Sequence, residues 1–293
     1  MPTEYFEQRE RALLGPRYEQ LYAAPQEAAE RGVTVSALRA MPEQFAQKAD
    51  FPLEVSPFCK AAFVVHAPEF KPGRHPYHHA GVFYSQEPSA SSAAPLLGVQ
   101  PGMRVLDLCA APGGKTLLLA EEMQGTGRLV SCDAAENRVR LIRTAVERMG
   151  FANVETLCND ATRQNPSLPQ ADRILVDAPC SGLGILAKKP DIRYKTLDKA
   201  RHDELLATQS AILDTAASLL KAGGRLVYST CTIDPAENEE QVAASLARHP
   251  EFSVVTSEVP FPAGMTVGEH GALSVPTRTG MDGFFLCAMQ KAQ

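Results

Sequence analysis

Tryptophan is absent from the 293 residues and aromatic side chains make up only 6 %, so any stacking on a flat ligand falls to phenylalanine or tyrosine. Tyr84 and Tyr194 are the candidates. No run approaches the roughly 18 apolar residues of a membrane span, and the charged start Met1-Pro2-Thr3-Glu4-Tyr5-Phe6-Glu7 is not a signal peptide. A cytoplasmic protein without membrane contact is expected. Cysteines number seven, but they are scattered (59, 109, 132, 158, 180, 231, 287) and form no C-x-x-C pair. That pattern excludes a disulfide framework or zinc site and predicts free thiols. His75, His78 and His79 lack matching cysteines or acids, so no metal is expected. The formal net charge of −5 argues against a non-specific polyanion binder, although a local basic face is decided by distribution rather than by total. One such face is expected at Lys188-Lys189-Pro190-Asp191-Ile192-Arg193-Tyr194-Lys195. There is no internal repeat and no long low-complexity tract.

The length allows one large domain or two modest ones. Residues 3–30 read as a polar helical segment with an apolar stripe of Phe6, Leu13, Leu14, Tyr18, Leu21 and Tyr22. From Val33 to Tyr84 short apolar pieces alternate with prolines, which predicts a small α+β module. Ser85 to Pro95, rich in Ser, Ala and Pro, reads as a connecting segment. After Gly98 strands alternate with helices, the pattern of βαβ units and a mostly parallel sheet. Strands are predicted at 104–109, 127–132, 153–158, 172–177 and 223–229, with helices at 115–123, 136–149, 202–221 and 235–248. The last run, Gly283 to Met289, is apolar on both faces and is expected inside the sheet.

Val105 to Cys109 followed by Ala110-Ala111-Pro112-Gly113-Gly114-Lys115-Thr116 is a strand, a glycine turn and a helix start. Such a turn brings backbone close to a ligand and offers free N–H groups. Gly113-Gly114-Lys115-Thr116 nearly completes a phosphate-binding loop, with Ile174 to Asp177 as a magnesium-side strand, yet Cys109 stands where that loop needs glycine and Pro112 removes an N–H. The other ligand is S-adenosylmethionine, whose ribose and amino groups need acceptors. Asp107 sits within the first motif, Asp133 and Asp160 follow predicted strands, and Asp133 falls 19 positions after Gly114, near the roughly 20 of a ribose-binding acid.

Cys180, in Asp177-Ala178-Pro179-Cys180-Ser181-Gly182, and Cys231, in Ser229-Thr230-Cys231-Thr232, each follow an apolar run at a strand's carboxyl end. Reacting groups gather there in open α/β sheets; packing is the alternative role. These motifs, with Glu237-Asn238-Glu239 and the loop Cys109 to Lys115, resemble the Sun-type RNA (cytosine-5) methyltransferases, the RsmB and RsmF group. His75 to Pro88 resembles the RsmF-like entry into the domain. The resemblance covers about residues 30–290 and is nearest to RsmF-like 16S rRNA methyltransferases, but without the further RNA-binding domains those carry after the catalytic one. It implies a Rossmann-like class I methyltransferase domain over 85–293, preceded by an RNA-facing α+β module over 1–84. It also implies S-adenosylmethionine as cofactor, held or lined by Cys109, Ala110, Ala111, Pro112, Gly113, Gly114, Lys115, Asp133, Asp160 and Asp177. Cys231 is implied as nucleophile, Cys180 as the thiol that helps release product, and Asp177 as the hydrogen-bond partner of the cytosine. The implied substrate is RNA, foremost small-subunit rRNA, alone or in the ribosomal subunit. A transfer-RNA methyltransferase and a non-catalytic RNA-binding assembly factor are the alternatives, and a monomer is expected.

Overall fold

The computed structural model describes residues 4–19, 31–67, 69–186, 189, 191–192, 198–255, 261, 265–274 and 282–293. Short β-branched runs between prolines build a four-stranded antiparallel sheet from β1 (Arg31–Val35), β2 (Leu53–Val55), β3 (Ala62–Val65) and β4 (Phe83–Ser85), in the order β2-β3-β1-β4. Helix α2 (Pro42–Lys48) covers one face of it. There Phe45 meets Phe63 and Phe83 at ring-centroid distances of 6.4 and 5.7 Å. A single turn, α3 (Pro76–His79), precedes β4.

The stretch from Ser85 to Pro95 is not a mere connection. Ser89–Ser92 form a 3₁₀ turn and α4 (Ala93–Leu97) follows, with Ser89, Ser91, Ala93 and Leu97 fully buried. Serine can be buried here because Ser91 and Ser92 donate their hydroxyls back to the carbonyls of Pro88 and Ser89, so no polar group is stranded.

The second sheet has parallel strands β5 (Arg104–Asp107), β6 (Arg128–Asp133), β7 (Val154–Cys158), β8 (Ala171–Asp177) and β9 (Leu220–Thr230). It continues through the antiparallel β10 (Phe252–Val254), β11 (Thr266–Gly268), β12 (Gly271–Ser274) and β13 (Phe284–Lys291). The order is β7-β6-β5-β8-β9-β13-β12-β11, with β10 also on β13. As its apolar character predicts, β13 lies inside the sheet, between β9 on one side and β10 and β12 on the other. Its side chains alternate faces. Phe284, Leu286 and Ala288 join the core under α5 (Gly114–Glu122) and α6 (Glu136–Met149). Phe285, Cys287 and Met289 join the core under α7 (Lys199–Leu219) and α8 (Glu239–Arg248). Two-sided burial explains the continuous apolar run.

The strand order reverses at β5, which opens a crevice at the carboxyl ends of β5 and β8. Helix α1 (Glu4–Leu14) sits at that end. Of its predicted stripe, Phe6, Leu14 and Tyr18 are core and pack against Leu183, Leu186, Ile192 and Ile233 in the loops after β8 and β9, with Leu13 partly buried beside them, while Leu21 and Tyr22 lie outside the described residues.

Candidate active site

The glycine turn after β5 is shaped by close packing. Gly113 caps α5 at φ +109°, and a Cβ there would sit 3.4 Å from Ile142 Cα on α6. Asp107, ending β5, is fully buried and accepts the Thr116 hydroxyl at 2.7 Å. Burial pushes its carboxyl up to about 7. Asp133, ending β6, accepts the Ala111 N–H at 3.3 Å, and Arg138 lies 3.3 Å from the same carboxylate while donating to the Ala111 carbonyl at 3.1 Å. Arg138, the third residue of the next helix, thus fixes both the turn and its acid. Asp160, exposed beyond β7, accepts the Thr162 hydroxyl and N–H, which hold its carboxyl below the ordinary value.

These groups border a cavity of about 760 Å³. Of the expected ligand residues, Cys109, Ala111, Pro112, Lys115, Asp133, Asp160 and Asp177 line it, while Ala110, Gly113 and Gly114 form the backbone behind. The lining suits a ligand with hydroxyl and amino donors. It does not suit a nucleotide triphosphate: the Lys115 ammonium is held 2.8 Å from Asp177 and the Thr116 hydroxyl is committed to Asp107.

Cys180 and Cys231 converge on the same cavity with their Sγ atoms 3.2 Å apart. The register of β8 and β9 brings this about, since it sets Asp177 opposite Ser229 and so aligns the two strand ends. Asp177 accepts the Ser229 hydroxyl at 2.8 Å through its other oxygen. The hydrogen bond from the Cys180 thiol lowers the Cys231 pKa; burial and Asp177 oppose this, and Lys115 and Lys189 add to it. The same bond, with burial, raises Cys180. Burial disfavours the Lys115 ammonium, but Asp177 outweighs it and the net shift is upward. Its Nζ lies 4.9 Å from the centre of the Phe284 ring.

The family described as 16S rRNA methyltransferase RsmB/F matches residues 94–290, and the N-terminal domain of 16S rRNA methyltransferase RsmF matches residues 1–88. The chain belongs to the RsmB/F family. A probable ribosomal RNA small subunit methyltransferase B of Bacillus subtilis is 40 % identical over 213 residues, which are 70 % of this chain and 47 % of the relative. A ribosomal RNA small subunit methyltransferase F of Cronobacter sakazakii is 34 % identical over 297 residues, 97 % of this chain and 61 % of the relative. The chain therefore spans about half to three-fifths of these relatives. A methyltransferase homolog from Pyrococcus horikoshii shares the fold with a TM-score of 0.84 at 27 % identity, covering 99 % of this chain and 95 % of the other.

Several expectations for this RsmB/F member change in the structure. Tyr84 is buried at 2 % exposure in the core with residues of α4, α5 and α6 and is no stacking platform, because its aromatic ring packs there. Tyr194 and the basic residues Lys188, Arg193 and Lys195 lie outside the described residues; Lys189 borders the cavity. His75 caps α3 by accepting the Tyr77 N–H and packs edge-on against Phe51 and tilted against Phe70 and Phe83. Among the described residues the convergent histidine and acids are instead His202, Asp234 and Glu237, with donor atoms within 4.8 Å of one another. The two acids are already engaged: Arg9 binds both Asp234 oxygens, and Glu237 accepts from Ser181, Gln209 and Thr232. Sequence reading named Glu237 only as part of a motif and missed Arg138; the signal for Arg138 was its place one helical turn past a strand-end acid. No helix among the described residues is long and apolar enough to cross a membrane.

Proposed function

We propose that this protein transfers a methyl group from S-adenosylmethionine to carbon 5 of a cytosine in small-subunit ribosomal RNA, through a covalent bond to Cys231. The observation that carries the reading is the pair of sulfurs 3.2 Å apart in the cavity that Asp177 and Lys115 also line. Bound in the cavity, the cofactor supplies an electrophilic methyl group; Asp133, the Ala111 backbone and Asp160 are the groups that would hold it.

Carbon 5 of cytosine is a poor nucleophile until a thiolate adds at carbon 6. Cys231, its negative charge favoured by the Cys180 thiol and by Lys115, is the group that adds. Asp177, at 29 % side-chain exposure, accepts a hydrogen bond from the ring's amino group, or from nitrogen 3 once that nitrogen carries a proton. After transfer the carbon 5 proton leaves to a base, the carbon–sulfur bond breaks, and its electron pair returns to Cys231 as thiolate. Cys180, which keeps its proton, stands where that release takes place.

The relatives' names favour ribosomal over transfer RNA. Bisulfite sequencing of total RNA from cells with and without the gene tests this: a cytosine protected only when the gene is present, in small-subunit rRNA, is expected. A protected transfer-RNA site overturns the substrate, and no change in any RNA overturns the activity. The thiol roles separate on denaturing gels with labelled RNA. Cys231→Ala is expected to lose both methylation and the covalent complex, while Cys180→Ala still attacks and accumulates it. An adduct held by Cys231→Ala instead reverses the assignment.

A further inference from the structure

The backbone on both sides of Cys180 is held by two buried side chains. Gln209 Nε2, from α7, donates to the Pro179 carbonyl at 2.9 Å and to Glu237 Oε2 at 2.9 Å. The same Oε2 accepts the Ser181 N–H at 2.9 Å. Glu237 Oε1 accepts the Ser181 hydroxyl and, at 3.3 Å, the Thr232 hydroxyl. One carboxylate therefore ties the residue after Cys180 to the residue after Cys231. Glu237, Gln209 and Thr232 all have 0 % exposure. Burying a carboxylate is costly unless hydrogen bonds replace its water; here four donors offset part of that cost, and burial still raises the Glu237 carboxyl above its ordinary value.

The two thiols depend on this clamp unequally. Cys231 directly follows β9, whose Thr230 is paired with Phe285, and its carbonyl accepts the Gly184 N–H at 3.0 Å. The sheet would hold it without Glu237. Cys180 stands three residues beyond Asp177, the last residue of β8, with no ladder of its own.

We propose that Glu237, braced by Gln209, is a positioning residue that holds Cys180 against Cys231 for the release step and leaves the attack by Cys231 largely untouched. The inference rests on the cysteine mechanism proposed above. A purely structural carboxylate would weaken both steps together.

The test uses the full chain, S-adenosylmethionine and a transcript carrying the cytosine located by bisulfite mapping, with first-turnover adduct formation and steady-state turnover measured separately. Glu237→Ala is expected to form the adduct within a few-fold of the wild-type rate. Its turnover should fall about a hundredfold, the scale of a 1 Å misplacement, with the adduct persisting. Glu237→Gln should keep turnover within a few-fold, because its carbonyl oxygen still accepts the two N–H donors while its amide faces two hydroxyls able to accept. Gln209→Ala, which removes only the Pro179 anchor and one donor, should show the same split more weakly, and it decides the matter should Glu237→Ala not fold. Parallel loss of both steps, wild-type kinetics in both alanine variants, or a Gln variant as impaired as Ala overturns the inference. Methylation surviving in Cys231→Ala overturns the cysteine mechanism and this inference with it, whereas an inactive Cys231→Ala beside wild-type kinetics in Glu237→Ala overturns the inference alone.

Discussion

When one of two hydrogen-bonded thiols ionises, the other keeps its proton, and nearby charge helps decide which. Lys115 favours negative charge on Cys231, whose pKa is lowered, while Cys180 is raised. A depressed thiol pKa means that the reactive thiolate survives to lower pH. Lys115→Gln removes that cation and leaves Asp177 without its partner, and both changes raise the Cys231 pKa. The pH at which adduct formation reaches half its maximum is therefore expected to move upward, with the alkaline plateau less affected; an unmoved acid limb in single-turnover kinetics would refute the electrostatic role. At this scale the sequence was most legible where the chemistry is local. Cys109 to Lys115, Asp177, Cys180 and Cys231 sit in short runs whose residue types already state their use. Glu237 was not legible in the same way, because its partners Gln209 and Ser181 lie 28 and 56 positions away and nothing local marks them.

Element periodicities were readable, and their partners were not. The strands and helices predicted after Gly98 fall within a few residues of the observed ones, since period-2 and period-3.6 burial leaves a direct imprint, but the short strands β10, β11 and β12 were not predicted. The apolar stripe of α1 was equally plain, yet a stripe says only that a face is covered. Its destination, the loops that carry Cys180 and follow Cys231, depends on Arg9 reaching Asp234 across 225 positions. Asp234 has 0 % side-chain exposure, and His202 lies 3.1 Å from it. Arg9→Ala strands that carboxylate, and breaking a buried pair from one side costs about 3–5 kcal/mol. Arg9 keeps 25 % of its side-chain surface in water, so the lower end applies. Urea unfolding is expected to show a lower midpoint with unchanged slope, partly restored by Asp234→Asn in the same background. A loss no larger than that of an exposed pair, below about 1 kcal/mol, would mean that α1 is held by Phe6, Leu14 and Tyr18 alone.

For the whole molecule, the choice between a phosphate loop and a methyl-donor site was left open by Gly113-Gly114-Lys115-Thr116 and is decided by where four side chains point. Lys115 faces Asp177, Thr116 faces Asp107, and Asp133 and Arg138 bracket the Ala111 peptide at the cavity wall. A ligand that binds this arrangement only in the folded state stabilises the fold by mass action, by about 2.7 kcal/mol at a hundredfold excess over its dissociation constant. S-adenosylmethionine is accordingly expected to raise the melting temperature in a concentration-dependent way, and ATP with magnesium to leave it unchanged. Asp133→Ala loses an acceptor for the ligand and also frees Ala111 and Arg138, so it should need a higher cofactor concentration for the same rise. Calorimetry distinguishes that loss of affinity from a loss of folding, because the variant's unliganded melting temperature is measured in the same series. Tight ATP binding with no response to S-adenosylmethionine would return the turn to the phosphate reading and take the methyl-transfer proposal down with it.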